Sequence, residues 1–362
     1  MAQTSSIGHP PGRSGLGGLI LLLACLSCGM SQDKAPQGEL IQPQLQALLP
    51  QGLIDATPRD CGHFRRPHGR ARGFMSFTNR LRTVVGVNHS GQDVVALPGQ
   101  DVPLLAQFAY GPLAFRLVDE EVQTFVHNCH RWMGIRDSRT DSSGRVRPQA
   151  PVRHLLPGTY AVGYSVVGDG STAHSKLFIL PPGQHFVVFN IDGTLTSAPP
   201  ASFYSAVGAQ AYYSQLADKL APGLREDAAE LTRLWADKGY QILYLTARPL
   251  HLRGITESWL RTHDFAEGIL HLSEASLDLL PYNSCVGTYK ARVLNELQEL
   301  GHHLDVAYGA TTTDMYAYKR AGVSQLFAVG FLPMEDIAVR LDFLGGHLES
   351  VNEFGASVDD PP

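Results

Sequence analysis

Charge is scarce in this chain of 362 residues: 17% of positions are charged, and the formal net charge is only −5. That balance excludes holding nucleic acid by bulk electrostatic attraction, which needs clustered positive charge. A membrane-spanning run is also missing at the front of the chain. The apolar stretch from Leu16 to Leu26 falls short of the ~20 residues that a helix needs to cross a bilayer. Cysteine is sparse, with five in all, and the three beyond the leader (Cys61, Cys129 and Cys285) have no metal-site spacing. His127 and His130 beside Cys129 make only a short cluster on a β-type segment, a weak metal signal. No internal repeat or low-complexity tract is evident. What is present is a 44% hydrophobic content with 36 Gly and 23 Pro. This suffices for a sizeable core, excludes general disorder and favours a loop-rich β domain over a helical bundle. The length accommodates two ordinary domains.

Residues 1–28 read as an export signal: a short polar start with Arg13, then the apolar run. Leu22-Leu23-Ala24-Cys25 resembles a bacterial lipobox, in which the cysteine is acylated, and Cys28 after Leu26-Ser27 is a second candidate for the lipid anchor. An ordinary cleaved secretory signal is the alternative. On either reading the mature chain is exported, and on the first it is a membrane-anchored lipoprotein of the periplasm or cell surface. In such an oxidising compartment Cys61 and Cys129 can pair, or they can remain buried thiols. Residues 29–73 read as a tether or linker. It ends in a basic cluster (Arg65, Arg66, Arg70 and Arg72 with His63 and His68) that suits a solvated loop or a surface against anionic headgroups.

From 74 to 183, short β-like runs alternate with turn signals: Thr83–Val87, Asp93–Leu97 and Tyr160–Val167 around Pro98-Gly99, Pro157-Gly158 and Gly168-Asp169-Gly170. This predicts a small antiparallel β-sandwich. From 184 to 345 the pattern changes to α/β. Apolar strands at Phe186–Phe189, Gln241–Leu245, Asp305–Tyr308 and Gln325–Val329 alternate with helices at about 226–238, 252–263 and 289–300. That order predicts a doubly wound parallel sheet covered on both faces. Residues 346–362 read as a flexible tail.

Doubly wound folds place their sites at the carboxyl ends of the strands, and the polar motifs fall there: Asn190-Ile191-Asp192-Gly193-Thr194, Thr246-Ala247-Arg248-Pro249, Lys290 at a helix start, and Gly309-Ala310-Thr311-Thr312-Thr313-Asp314. In this order they resemble the four motifs of the haloacid dehalogenase superfamily. The resemblance implies a phosphatase fold in which a carboxylate attacks phosphorus and a second carboxylate serves as acid and base. It also implies that Asp192 stands at the acid/base position, that Thr246 and Lys290 bind phosphate with Gly193 and Thr194 of the first motif, and that Asp314 stands at the metal position. The nucleophile position holds Asn190. A neutral amide is a poor nucleophile and a weak Mg²⁺ ligand, so the metal site of Asp314 and Asn190 is degraded, no cofactor is expected beyond weakly held Mg²⁺, and catalysis is not expected. Each residue also has a plainer role open to it. Asp192 can form a turn, Thr246 can cap a strand end, Lys290 can be an exposed helix lysine, and Asp314 can cap the helix starting near Met315. Arg248 reads as structural or phosphate-facing.

A closer resemblance covers about 74 to 345. Phe108-Ala109-Tyr110-Gly111-Pro112-Leu113, Leu156-Pro157-Gly158-Thr159-Tyr160, Val167-Gly168-Asp169-Gly170-Ser171, Phe186–Gly193 and Ala307–Thr311 look like the C-terminal region of membrane-associated phosphatidylinositol transfer proteins. There a β domain precedes a lipin-like phosphatase domain that also lacks its nucleophile. The resemblance implies a protein that binds phosphatidic acid, or another anionic phosphomonoester lipid, without hydrolysing it. A weak Mg²⁺-dependent phosphatidate phosphatase and a structural surface module are the competing expectations.

Overall fold

The structure, a computed structural model, describes residues 59–60, 71–111, 113–197, 223–274, 283–330 and 339–341. The expected leader, most of the tether and the tail lie outside them.

The first domain is built on alternation. Strand β3 (Glu121–His127) buries Val122, Thr124 and Val126 and turns the residues between them outward, the period of a half-buried strand. In chain order its sheet contains β1 (Arg59–Asp60), β2 (Val94–Ala96), β3, β4 (Trp132–Arg139), β5 (Gly158–Val166) and β6 (Thr172–Ile179). Their spatial order is β2-β6-β5-β3-β4, with β1 beside β5. The β5–β6 hairpin pairs from Gly158 opposite Ile179 to Ser165 opposite Thr172, and Gly170 at φ 75° turns it. Short pairs such as Ser90–Gly91 with Ala106–Gln107 form the other layer. Phe108, Tyr110, Val122, Val162, Tyr164 and Leu177 pack the core between the layers.

Thr83–Val87 is not the strand its β-branched residues suggest. Helix α1 (Phe77–Arg82) runs into a 3-10 turn at Thr83–Val85. Buried Glu120 sets this course from beneath: its carboxylate accepts from the Met75 and Ser76 amides at 3.0 Å each and from Asn79 Nδ2 at 2.9 Å. Local polar pairing overrides β propensity here.

The second domain contains β7 (His185–Phe189), α2 (Ala228–Asp237), β8 (Gln241–Pro249), α3 (Arg253–Thr262), β9 (Ile269–Ser273), α4 (Thr288–Glu299), β10 (His303–Gly309), α5 (Thr312–Arg320), β11 (Gln325–Val329) and β12 (Val339–Leu341). The sheet order is β9-β8-β7-β10-β11-β12, and every pairing is parallel. Both faces of β7 are buried. Val187 and Phe189 pack with Leu231, Trp235 and Trp259 of α2 and α3, while Phe186 and Val188 pack with Tyr289, Leu294 and Tyr318 of α4 and α5. A continuous apolar run is what such a doubly covered strand requires.

Buried charge joins the two domains. Asp93, just ahead of β2, pairs with Arg253 of α3 at 2.7 Å, and its carboxylate also accepts from the Lys176 amide at 2.8 Å and the Leu270 amide at 3.0 Å. His174 of β6 meets Glu257 of α3 at 2.9 Å.

Candidate functional site

The four motifs converge at the carboxyl edge of the parallel sheet. Asn190 follows the last residue of β7, and its amide N–H donates to the Tyr308 carbonyl of β10 at 2.9 Å. That carbonyl also accepts from the Tyr318 hydroxyl at 3.1 Å. Burial, with Asp314 nearby, holds the Tyr318 phenol well above its usual range, so it is a neutral donor. Gly309 lets the start of α5 come close, since a Cβ there would lie 2.6 Å from the Asp314 Cβ. Thr311 and Asp314 then close a reciprocal cap on α5. Asp314 is therefore not the N-cap of a helix starting near Met315 but the third residue of a helix that Thr311 caps, and it completes that cap while facing the site.

Lys290 is 1% exposed, so it is not the surface lysine that its position on a helix allowed. Its ammonium donates to Asp314 Oδ1 at 2.6 Å and to Asn190 Oδ1 at 2.9 Å. The Asn190 Nδ2 group donates to Asp314 Oδ2 at 3.1 Å, to the Asp192 carbonyl at 2.8 Å and to Thr194 Oγ1 at 3.3 Å. The chemistry fixes this orientation of the amide, because the opposite one would set NH₂ against NH₃⁺. Asp314 Oδ2 also accepts from the Ala310 and Thr311 amides at 3.0 Å each.

Asp192 belongs to a second cluster. Arg248 grips its carboxylate through Nε at 3.0 and 3.1 Å and through Nη2 at 2.6 Å, and Thr246 Oγ1 donates to it at 3.2 Å. The remaining guanidinium arm donates to Thr256 Oγ1 at 3.1 Å. Thr246 and Arg248 lie two apart on β8 and so share one face. That spacing was the signal in the sequence for a shared partner; nothing there marked Thr256. Arg225 also went unmarked. It donates to the Gly193 carbonyl at 2.9 Å and the Thr194 carbonyl at 3.0 Å, fixing the loop after the first motif, where Gly193 sits at φ 78°.

Asp192 and Asp314 are thus matched by Arg248 and Lys290, and the neutral amide of Asn190 lies between them. The donor set does not fit Mg²⁺, which requires a near-octahedral shell of oxygens. The amide nitrogen of Asn190 faces the Asp192 carbonyl and Asp314 Oδ2, and Asp314 Oδ1 is taken by Lys290. Asn190 and Asp314, placed at the metal position by motif order, are therefore engaged with each other and with Lys290. No group of three or more His, Cys, Asp or Glu residues suited to a metal occurs among the described residues. Cys129, beside the two histidines, is disulfide-bonded and cannot act as a thiolate ligand.

The arrangement defines a β-sandwich domain followed by a haloacid-dehalogenase-like α/β domain. Residues 87–179 match the beta-sandwich domain model of PITM 1-3, and residues 187–330 match the PITM 1-3 LNS2 domain model. The chain thus has a PITM-like domain architecture. It is 34% identical over 291 residues to membrane-associated phosphatidylinositol transfer protein 3 of Homo sapiens, over 78% of this chain and 26% of that protein. It is 28% identical over 310 residues to protein retinal degeneration B of Drosophila melanogaster, over 83% of this chain and 23% of that protein. The chain spans about a quarter of the length of these relatives. Among solved structures, a putative phosphatase from Clostridium difficile aligns with TM-score 0.33 at 16% identity, over 47% of this chain and 99% of that one. A phospho-aspartyl intermediate analogue of phosphoserine phosphatase aligns with TM-score 0.32 at 14% identity, over 46% and 99%.

Proposed function

We propose that this chain is a non-catalytic phospholipid-binding protein whose LNS2 domain takes a phosphomonoester headgroup, with phosphatidic acid as the fitting lipid. The observation that carries this reading is Asn190. Its amide stands where a nucleophilic carboxylate would be needed and spends its N–H donors on Asp314, Asp192 and Thr194. Arg248 and Thr246 donate to both oxygens of Asp192, which lowers its nucleophilicity and supports the same reading.

Among the described residues, Lys290 and the Ile191 amide supply donors for an anion. Lysine carries three N–H groups, and Asn190 and Asp314 take two of those on Lys290. The Ile191 amide has no acceptor among the described residues. With a neutral amide at 190, an incoming phosphate meets no carboxylate there to repel it. The relatives' association with membranes and phosphatidylinositol transfer supports a phospholipid ligand in general; transfer activity is not part of the proposal.

Flotation of the full chain with phosphatidylcholine vesicles, with or without phosphatidic acid, and with equally charged phosphatidylserine as control, tests the reading. Selective co-flotation with phosphatidic acid is expected, together with no phosphate release in Mg²⁺. Measurable release would return the chain to the phosphatases, and equal binding to phosphatidylserine would remove the monoester pocket. Asn190→Asp should lower the melting temperature in chelator and regain it in Mg²⁺, because it sets a new carboxylate beside Asp314. A Mg²⁺-independent melting curve would show that one residue did not close the metal site.

A further inference from the structure

The segment from Met75 to Val87 is folded inside out. Its buried side chain is polar: Asn79, 2% exposed, is held by Glu120 and by the Val118 carbonyl at 2.8 Å. Its large apolar side chains face outward, with Met75 59%, Phe77 72%, Leu81 56% and Val84 84% exposed. The turn between Ala109–Tyr110 and Phe115–Arg116 lies against this segment through the Gly111 amide on the Gly86 carbonyl (2.8 Å) and Arg82 on the Arg116 carbonyl. It adds Leu113 and Phe115 at 70% and 46% exposure. Of the exposed large hydrophobics among the described residues, only Leu224 lies away from this face. Scattered exposed apolar residues are ordinary on a protein surface, whereas a contiguous cluster marks an interaction site.

The charge around this face is mainly positive, with the carboxylate of Asp169 beside it accepting from the Tyr110 hydroxyl at 2.6 Å. Arg72, Arg80 and Arg116 are exposed around it, and no Asp or Glu occurs from 61 to 92 or from 102 to 118. Nearby Glu120 is buried under α1, and Asp119 is paired with Arg139 at 3.0 Å. Aliphatic and Phe side chains projecting from two neighbouring turns and ringed by arginine complement an anionic bilayer, which offers hydrocarbon beneath and negative charge at its surface.

We propose that this face of the β-sandwich domain inserts into the headgroup–acyl boundary of anionic membranes. The surface is separate from the LNS2 site and does not require that site to bind phosphate.

The test uses the full chain, with its leader common to all forms, and vesicles of phosphatidylcholine with and without phosphatidylserine. Phe77→Ser, Leu81→Ser and Leu113→Ser combined should lower partitioning into the anionic vesicles by roughly tenfold or more, with the melting temperature unchanged or raised. Arg80→Glu with Arg116→Glu should weaken binding and flatten its salt dependence. Phe77→Trp reads the site directly: acyl-brominated lipids should quench its added fluorescence. Phosphatidylserine carries a phosphodiester and no phosphomonoester, so binding read on these vesicles separates failure of this proposal from failure of the LNS2 reading. Undiminished partitioning of the triple serine variant, or no quenching of the fluorescence that Phe77→Trp adds, would overturn insertion. Absence of vesicle binding by the wild-type chain would also overturn it and leave the face to a protein partner.

Discussion

Asn190, Lys290 and Asp314 form a buried cluster that is neutral overall: an amide, an ammonium and a carboxylate. Among the described residues Lys290 alone compensates Asp314 Oδ1, and both side chains are almost wholly excluded from solvent. Removing one member of a buried pair leaves an unmatched charge, which typically costs ~3–5 kcal/mol, whereas removing both charges costs far less. Lys290→Met should therefore destabilise the chain by about that amount in urea denaturation. Lys290→Met with Asp314→Asn should recover most of it. Additive losses would show that the two side chains act separately. The folded double variant also suits the flotation assay: loss of phosphatidic acid selectivity in it reflects the missing ammonium and not an unfolded site.

At the scale of elements, apolar run length made the parallel sheet legible. Phe186–Phe189 and Gln325–Val329 are strands where the sequence placed them, and α2, α3 and α4 begin and end within about two residues of expectation. Thr83–Val87 was misleading, because its conformation is set by Glu120, some 35 positions away in sequence, and no local pattern reports such a partner. The site divides in the same way. Motif order pointed to Asn190, Lys290 and Asp314, which are hydrogen-bonded to one another, and to Thr246, which lies instead with Asp192; the grip of Arg248 on Asp192 and of Arg225 on the Gly193 loop emerges only when the strands align. A shorter element bears on the cysteines. In β1, Asp60 lies opposite Thr159 of β5, and β3 pairs with β5 on register from Val122–Val166 to Val126–Val162. β3 ends at His127, and Cys129, at φ 70°, lies in the turn that follows. Cys129 is disulfide-bonded, and its partner is outside the described residues; because β1 and β3 pair with successive stretches of β5, we propose Cys61, next in sequence after Asp60, as that partner. Non-reducing peptide mapping should recover a Cys61–Cys129 linked pair, and reduction should lower the melting temperature by an amount that Cys61→Ala reproduces. A linkage to Cys25 or Cys28 would refute the pairing. A confirmed bond would favour the oxidising compartment that an exported chain reaches.

Over the whole molecule, buried histidine sets how the two domains respond to acid. Burial pushes His89, His251 and His302 down to about 4 from 6.5, and His271 to about 3. The folded chain keeps these rings neutral while the unfolded chain protonates them. Their contribution is therefore complete above pH 6.5 and is lost as pH falls toward 4, at up to ~1.4 kcal/mol per pH unit for each ring. Glu257, held down to about 2 by His174 and Arg253 against the opposing effect of burial, adds its own loss only below its ordinary value of 4.5. Destabilisation should thus begin above the carboxylate range, and urea midpoints should fall steeply between pH 6.5 and 4.5. His302 gives the clearest test. Neither ring nitrogen has a hydrogen-bond partner among the described residues, and the ring lies 5.3 Å from Phe186. Phenylalanine can take its place without leaving a polar atom unsatisfied. His302→Phe should raise stability at pH 5 more than at pH 7 and flatten the slope between them by about 1.4 kcal/mol per pH unit. An unchanged slope would mean that His302 is solvated or protonated in the native state, and that the acid sensitivity of the fold resides in the other three rings.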